Sequence, residues 1–418
     1  MKTSKFLLVF IFIFVLLQDS GFAQGEAAVP FLLLQPSPSL SAMGQTGTAL
    51  PTEDPFGFVW NPAQLGYTNQ DNSLRYIFYP SKIDWIPAFN AGLQLRGMAF
   101  NAGYNFKDLI GFPISLGFGY SNTEINFGTF LRTSSIGAIE SKDYYDAYSV
   151  GVGIDYFVQF SAGLTIKSVT SILGPFPPGE ESSSTLTAKG DKTAIDFGFL
   201  IDIPVLKLID QNLKMGSEEG NILKPDFNLS LGYSKSNIGD KIYYIDRAQA
   251  DPFPRIDRLG YGVTAGLDYV SDDIQLNTVN LSFTAEADDI LVTGDNLTGW
   301  SYQSTLSDLR FWKNIINIEG DGKIVSHAGF RIDLFETVSL STGHFTGRGY
   351  QVRKTNGFEL RAKGLFKLYA LWAKDPITEF LRDHIDVVYY NTNFFADHEL
   401  ETKMTGLALY LHNLDKLF

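Results

Sequence analysis

Residues 258–269 read Arg258-Leu259-Gly260-Tyr261-Gly262-Val263-Thr264-Ala265-Gly266-Leu267-Asp268-Tyr269. Leu259, Tyr261, Val263, Ala265, Leu267 and Tyr269 fall on one parity, Gly260, Gly262, Thr264, Gly266 and Asp268 on the other. A β-strand points successive side chains to opposite faces, so this stretch predicts a strand with one apolar, aromatic-capped face and one small, polar face.

The same rhythm recurs along the chain. Ile114, Leu116, Phe118 and Tyr120 oppose Ser115, Gly117, Gly119 and Ser121; Tyr148, Val150, Val152 and Ile154 oppose Ser149, Gly151, Gly153 and Asp155. Phe160, Leu164 and Ile166 oppose Ser161, Gly163, Thr165 and Lys167, Phe227 to Tyr233 repeats the pattern, and Phe358, Leu360 and Ala362 oppose Glu359, Arg361 and Lys363. A soluble β-sandwich also alternates. Its solvated faces, however, carry more Lys and Glu than these Gly-, Ser-, Thr- and Asn-rich ones. The pattern therefore predicts an all-β fold: a transmembrane antiparallel β-barrel, apolar towards lipid and small or polar towards its lumen, of about 14 strands. Residues 89–105 are read as one long strand.

Composition agrees. The 418 residues hold 34 Phe, 20 Tyr and 39 Gly, which suits aromatic belts at the two membrane interfaces and crowded lumen positions. There is no Cys, which excludes disulfides and thiolate chemistry. The net charge of -13 argues against nucleic acid, whose phosphates are bound by clustered Lys and Arg. Lys2 and Lys5 precede an apolar run from Phe6 to Leu17, and Gly21-Phe22-Ala23 offers small residues for cleavage. Residues 1–23 thus read as a signal peptide, and the mature barrel is expected in the cell outer membrane, with outer-membrane lipid as its surroundings.

Residues 38–66 do not alternate. Gly44, Gly47 and Gly57 permit tight bends, Pro55 and Pro62 forbid a continuous ladder, and Trp60 requires burial. A barrel of this girth leaves a channel unless something fills it. Residues 24–70 are therefore expected to fold into the lumen as an N-terminal hatch, or plug, with 71–418 forming the barrel. Met43, Gly44, Asp54, Pro55, Trp60, Asn61, Pro62 and Ala63 are its candidate residues.

On these residues the chain resembles a known family. Ser41-Ala42-Met43-Gly44 with Thr48-Ala49, Glu53-Asp54-Pro55, then Trp60-Asn61-Pro62-Ala63, in that order, resemble the FadL-like outer-membrane barrels and within them the PorV/PorQ branch associated with type IX secretion. Asn237-Ile238-Gly239, Tyr244-Ile245-Asp246, Pro252-Phe253-Pro254-Arg255 and residues 194–200 look like the PorV branch in particular. The resemblance implies a hatch-bearing barrel of 14 strands. For the PorV type it implies a non-enzymatic carrier that engages secreted proteins by a C-terminal sorting domain and passes them between secretion-system components. For FadL proper it implies uptake of hydrophobic solutes such as long-chain fatty acids. With both signatures present, carrier is ranked above lipid channel. Residues 287–325 match nothing in the resemblance.

With both termini periplasmic, the connections near 121–146, 170–192, 236–257, 287–325, 344–355 and 391–404 are expected outside the cell, and those at 204–225 and 366–383 in the periplasm. In the last, Asp375 reads as the N-cap and Pro376 as the first residue of a short helix presenting Ile377, Phe380 and Leu381 on one side, an amphipathic helix expected to plug the bottom of the barrel or to lie on the inner leaflet rather than to dock a partner. Tyr243, Tyr244 and Phe253 are large rings in a polar outer loop and are the candidates for partner contact; the alternative is that they join the outer aromatic belt or pack over the hatch. Asp196, Asp202, Arg331, Asp333, Glu359, Arg361 and Lys363 fall on lumen parity, where charges are expected to pair and anchor the hatch.

Nothing points to an enzyme, a metal or a cofactor. The five His, at 327, 344, 384, 398 and 412, lack metal-ligand spacing, and no nucleophile elbow or phosphate loop is present. The paired acids Asp272-Asp273 and Asp288-Asp289 read as turns.

Overall fold

The computed structural model describes residues 27–68, 72–89, 92–130, 139–176, 186–210, 213–215, 222–271, 274–295, 299–303, 307–373 and 375–416. The leader expected at 1–23 lies outside them.

The alternating segments form one antiparallel sheet that closes on itself. In chain order its strands are β1 (Leu74–Phe78), β2 (Gln94–Asn105), β3 (Ile114–Phe130), β4 (Ile139–Asp155), β5 (Gln159–Phe176), β6 (Leu186–Pro204), β7 (Ile222–Gly239), β8 (Ile256–Ser271), β9 (Ile274–Ile290), β10 (Ile324–Leu334), β11 (Val338–Gly347), β12 (Tyr350–Arg361), β13 (Ile385–Phe394) and β14 (Thr402–Leu411). Each pairs with its neighbour in sequence, and β1 closes the cylinder by pairing with β14 from Leu74↔Leu411 to Phe78↔Leu407. Closure leaves no strand edge unpaired, a requirement for backbone in hydrocarbon. The protein is thus a transmembrane antiparallel β-barrel of 14 strands, and the single strand expected at 89–105 is β2, Gln94–Asn105.

The two faces fall as the sequence parity requires. On β4, Tyr148, Val150, Val152 and Ile154 are exposed on the outside, whereas Ala147 and Ser149 are buried within. On β5, Leu164 and Ile166 point out and Ser161, Thr165 and Lys167 point in, buried. Among the described residues no helix is long and apolar enough to cross a membrane.

Several boundaries differ from expectation. The connections foreseen at 121–146 and 170–192 are mostly ladder: β3 pairs with β4 as far as Phe130↔Ile139, and β5 with β6 as far as Phe176↔Leu186. Charged and polar side chains there simply continue the strands past the apolar belt. Asp288 and Asp289 are not a turn; they end β9, paired with Arg258 and Asp257 of β8. The alternation at 358–363 stops at Arg361, because residues Ala362–Ala370 turn into a helix whose Lys363 N–H donates to Asp386, 3.0 Å. Lys363 thus stands at the rim of the barrel, where β12 ends. The helix Pro376–His384 follows, capped by Asp375, whose side chain accepts from the Ile377 and Thr378 N–H groups.

Candidate functional site

Residues 27–68 lie inside the cylinder. Ser37 caps the helix Pro38–Ala42 by accepting the Leu40 N–H at 3.0 Å, and Pro38 supplies a preset φ for its first turn. Asp54 folds the next bend. Its carboxylate accepts from the Phe56 N–H, 2.7 Å, and from the Ser37 hydroxyl, 2.8 Å, with Pro55 between. Burial pushes the Asp54 carboxyl up to about 7 against the pull of those two bonds. Asn61 staples the segment together: its amide donates to the Thr48 carbonyl, 2.7 Å, and across to Phe199 of β6, 3.1 Å, while its oxygen accepts the Ala63 N–H ahead of helix Gln64–Thr68. Trp60 lies under the Arg258 guanidinium, 3.7 Å from ring centre to charge, and Met43 and Ala63 are fully buried.

The wall is shaped to receive this segment. Gly97, Gly119, Gly151, Gly163, Gly198, Gly232, Gly262, Gly329, Gly343, Gly357 and Gly406 each stand on a different strand, facing inward, and an added Cβ at any of them would press on the hatch. At Gly119 it would meet the Phe58 ring at 2.8 Å, at Gly151 the Leu65 side chain at 2.7 Å, and at Gly357 Ala42 at 2.8 Å. At Gly163 and Gly232 it would collide with the backbone at Pro62 and Thr48.

Strand β9 carries Glu286 instead. Its carboxylate collects the Gly47, Thr48 and Ala49 N–H groups at 2.9 to 3.1 Å, an oxyanion in a nest of backbone donors. The charges read as lumen-facing also pair. Arg361 bridges Asp386 (2.8 Å) and hatch residue Glu53 (3.0 Å), Arg331 bridges Asp333 (3.2 Å) and Glu359 (4.0 Å), and Glu359 accepts the Ser39 hydroxyl. Asp196 holds Lys167 at 2.6 Å, and Asp202 is buried opposite Gln159.

Above the hatch, towards the outer loops, lies a cavity of about 210 Å³. Its walls are Leu33 and Leu34 of the hatch, Trp85 and Ile86 of the β1–β2 connection, and Val325, Phe345, Phe394 and Phe395 at strand ends. Trp85, Phe394 and Phe345 stack in series at 5.2 and 5.8 Å. Among the described residues, polar groups enter at Arg348 and at the floor, where His327 bridges the Gly44 carbonyl (2.7 Å) and Asp288 (3.3 Å) beside Gln45. Below the hatch, at the mouth where β1 begins and β14 ends, a second cavity of about 540 Å³ is lined largely by polar residues, among them Asp155, Lys207, Lys224, Asp226 and Asp268.

The outer loop between β7 and β8 distributes its rings unevenly. Phe253 is wholly buried over the hatch, beside the bond from the Ala28 N–H to the Pro252 carbonyl, and has no surface to offer a partner, which corrects its expected role. Tyr244 is half-buried and donates to Ser171, 3.0 Å. Tyr243 is partly exposed between Lys192 and Arg247, which lie 5.2 and 5.4 Å from its ring, and Arg247 holds its hydroxyl below the usual tyrosine range.

The upper cavity was not foreseen from the sequence. Its aromatic walls come from separate strand ends and loops, with no shared motif. His327 alone carried a signal, since it has the same parity as Arg331 and Asp333 and so had to face the lumen.

No protein-family model matches the sequence, and no curated protein matches it. Solved structures do. The Pseudomonas putida toluene transporter TodX aligns over 90% of this chain and 97% of its own, with 11% identity and a TM-score of 0.38. The Ralstonia pickettii toluene transporter TbuX aligns over 90% and 98%, with 10% identity and a TM-score of 0.38, and a Pseudomonas aeruginosa FadL homologue over 90% and 97%, with 10% and 0.36. At those values no ligand or activity passes from them to this chain.

Proposed function

We propose that this barrel admits a small hydrophobic solute with a polar or acidic end at its outer mouth, the hatch standing between that mouth and the periplasm. The carrying observation is the upper cavity: aromatic and aliphatic walls open towards the outer loops, with Arg348 and a floor of His327, Asp288 and Gln45 as its polar anchors among the described residues. Its volume is below the ~300–1,000 Å³ of pockets that enclose drug-sized ligands, so it suits a small molecule or one end of a longer one. Trp85 in the wall makes the test direct. A brominated decanoic acid is expected to quench Trp85 fluorescence saturably in lipid nanodiscs, the signal being assigned with Trp85→Phe and weakened by Phe345→Ala. Absence of saturable quenching, or undiminished decanoate uptake by cells lacking the protein, would sink this reading.

A carrier role in type IX secretion is the second reading, which reverses the order drawn from the family resemblance. Tyr243, flanked by two cations, and its exposed neighbour Ile245 favour it, as aromatic and Arg side chains do at binding hot spots. Co-purification from detergent should then recover exported proteins sharing a C-terminal β-domain, and recovery should fall with Tyr243→Ala. Recovery of none removes the reading.

A further inference from the structure

Two segments leave the cylinder and fold back onto its outer, lipid-facing wall. One belongs to the long connection between β9 and β10. Its single helical turn Phe311–Ile316 tucks Ile315 against Ala285, Ala287 and Ile324, with Leu259, Tyr261 and Phe283 around them. On β9 these residues share the parity of exposed Leu281, opposite to Glu286, which reaches the hatch, so the covered surface is the outside of the barrel. Asn314 clips the segment by accepting the Arg310 N–H and donating to the Glu319 carbonyl, both 2.8 Å. Trp312 is left 74% exposed.

The other segment is the helical pair Ala362–Ala370 and Pro376–His384. It leaves β12 at the opposite end of the barrel and crosses the β10–β11 turn, where Gly364 lies against the backbone of Phe335 and Glu336. Lys367 ties it to Glu336 at 2.7 Å, and Leu368 and Ala370 then cover Ile274 and Leu276 at the start of β9. The latter pair opposite Ser271 and Tyr269, and a bulge before Val279 brings them onto the outer parity of Val279 and Leu281. Leu365, Tyr369 and Trp372 recur at helical spacing on the uncovered side and are exposed, Trp372 at 89%; Ile377 follows at 72%.

Both covers sit on β9, so the strand measures their separation. From Leu276 to Ala285 is nine residues, one taken up by the bulge. At ~3.3 Å per residue and ~40° tilt this is roughly 20 Å along the membrane normal, close to the ~25 Å apolar belt of such barrels. The two exposed tryptophans therefore stand at the two edges of the belt, where Trp is favoured by its apolar ring and polar N–H.

We propose that these segments are membrane-interface anchors: the turn carrying Trp312 seats in the head-group region of the outer leaflet, and the helical pair carrying Trp372 in that of the inner leaflet. The occupant is lipid, because each exposed apolar face is continuous with the wall that lipid already covers. Together they fix the height of the barrel in the membrane on the side of β8 to β11. This reading is independent of what passes through the lumen.

The absence of cysteine makes the test clean. Trp312→Cys and Trp372→Cys, with Phe311→Cys and Ile377→Cys as second positions, are nitroxide-labelled in phosphatidylcholine vesicles, with Lys323→Cys and Glu379→Cys as exposed controls. The expected result is several-fold greater collision with oxygen, and several-fold less with a water-soluble nickel chelate, at the anchor positions than at the controls. Chelate accessibility equal to the controls would place these faces in water and overturn the proposal. Protection from both reagents would show protein seated there, with the same consequence.

Discussion

Glu286 offers two oxygens to the Gly47, Thr48 and Ala49 N–H groups, and no other side chain could take all three so well. Replacing it with Gln leaves one acceptor and turns an amide NH2 towards those donors. Hydrogen bonds to a charged group contribute about 1.5–3 kcal/mol each, and buried donors without partners cost a similar amount. Glu286→Gln is therefore expected to speed hydrogen exchange at residues 47–49 by roughly 10–100-fold, about 1.4–2.8 kcal/mol, with the strand amides of β5 unchanged. Unaltered exchange at those amides would mean that the nest does not hold the hatch. Asp288 stands two residues further along the strand and shows the limit of local reading. Two adjacent acids read as a turn, yet the ladder continues because His327 on β10 hydrogen-bonds Asp288 and Arg258, its ladder partner on β8, brings a positive charge beside it. Such partners are remote in sequence, so the spacing of the acids holds no trace of them.

At the level of elements, the strands were the most legible part of the chain because the lumen side is glycine. A solvated sheet has no reason to place Gly inward on strand after strand, whereas a wall that receives a packed segment does. The hatch was legible for the complementary reason: Pro55, Pro62 and the bends at Gly44 and Gly47 cannot join a ladder, and Trp60 cannot stay in water. Of the outboard segments, the helix Pro376–His384 was legible from Asp375 and Pro376, but the path of Trp312 and Trp372 over the wall was not, since it depends on Ala285, Ala287, Ile274 and Leu276, far away in the chain. The glycine wall can be tested on a single strand. On β5, Gly163→Ala forces Pro62 or the strand to move and is expected to destabilise the protein by ~1–3 kcal/mol, the usual range for overpacking. Leu164→Val, one residue away on the lipid face, should cost less, and guanidinium unfolding in micelles compares the two. Equal effects would show that the lumen face is not close-packed against the hatch.

For the whole molecule, the decisive relation is the order of spaces along the barrel axis: an apolar chamber of about 210 Å³ above, the hatch, and a larger polar vestibule of about 540 Å³ below. A closed cylinder of 14 strands lies between the ~8 strands that side chains can fill and the 16–18 that leave an aqueous channel, so the inserted segment is what blocks flow. The hatch is held at every side, by glycine contacts, by Glu286 and by Arg361, so the intact protein should show no steady ionic current in a planar bilayer. A chain lacking residues 27–68 retains every strand and both rim helices, and it loses the backbone that contacts the glycine wall. Reconstituted in the same bilayer, it is expected to give a stable ohmic conductance, with cations preferred because Asp155, Asp202, Asp226 and Asp268 line or approach the lower mouth. Circular dichroism dominated by β-structure would establish that the shortened chain has folded. A folded but electrically silent barrel would show that the wall itself closes the lumen, and the hatch could not then be the element that separates the outer chamber from the periplasm.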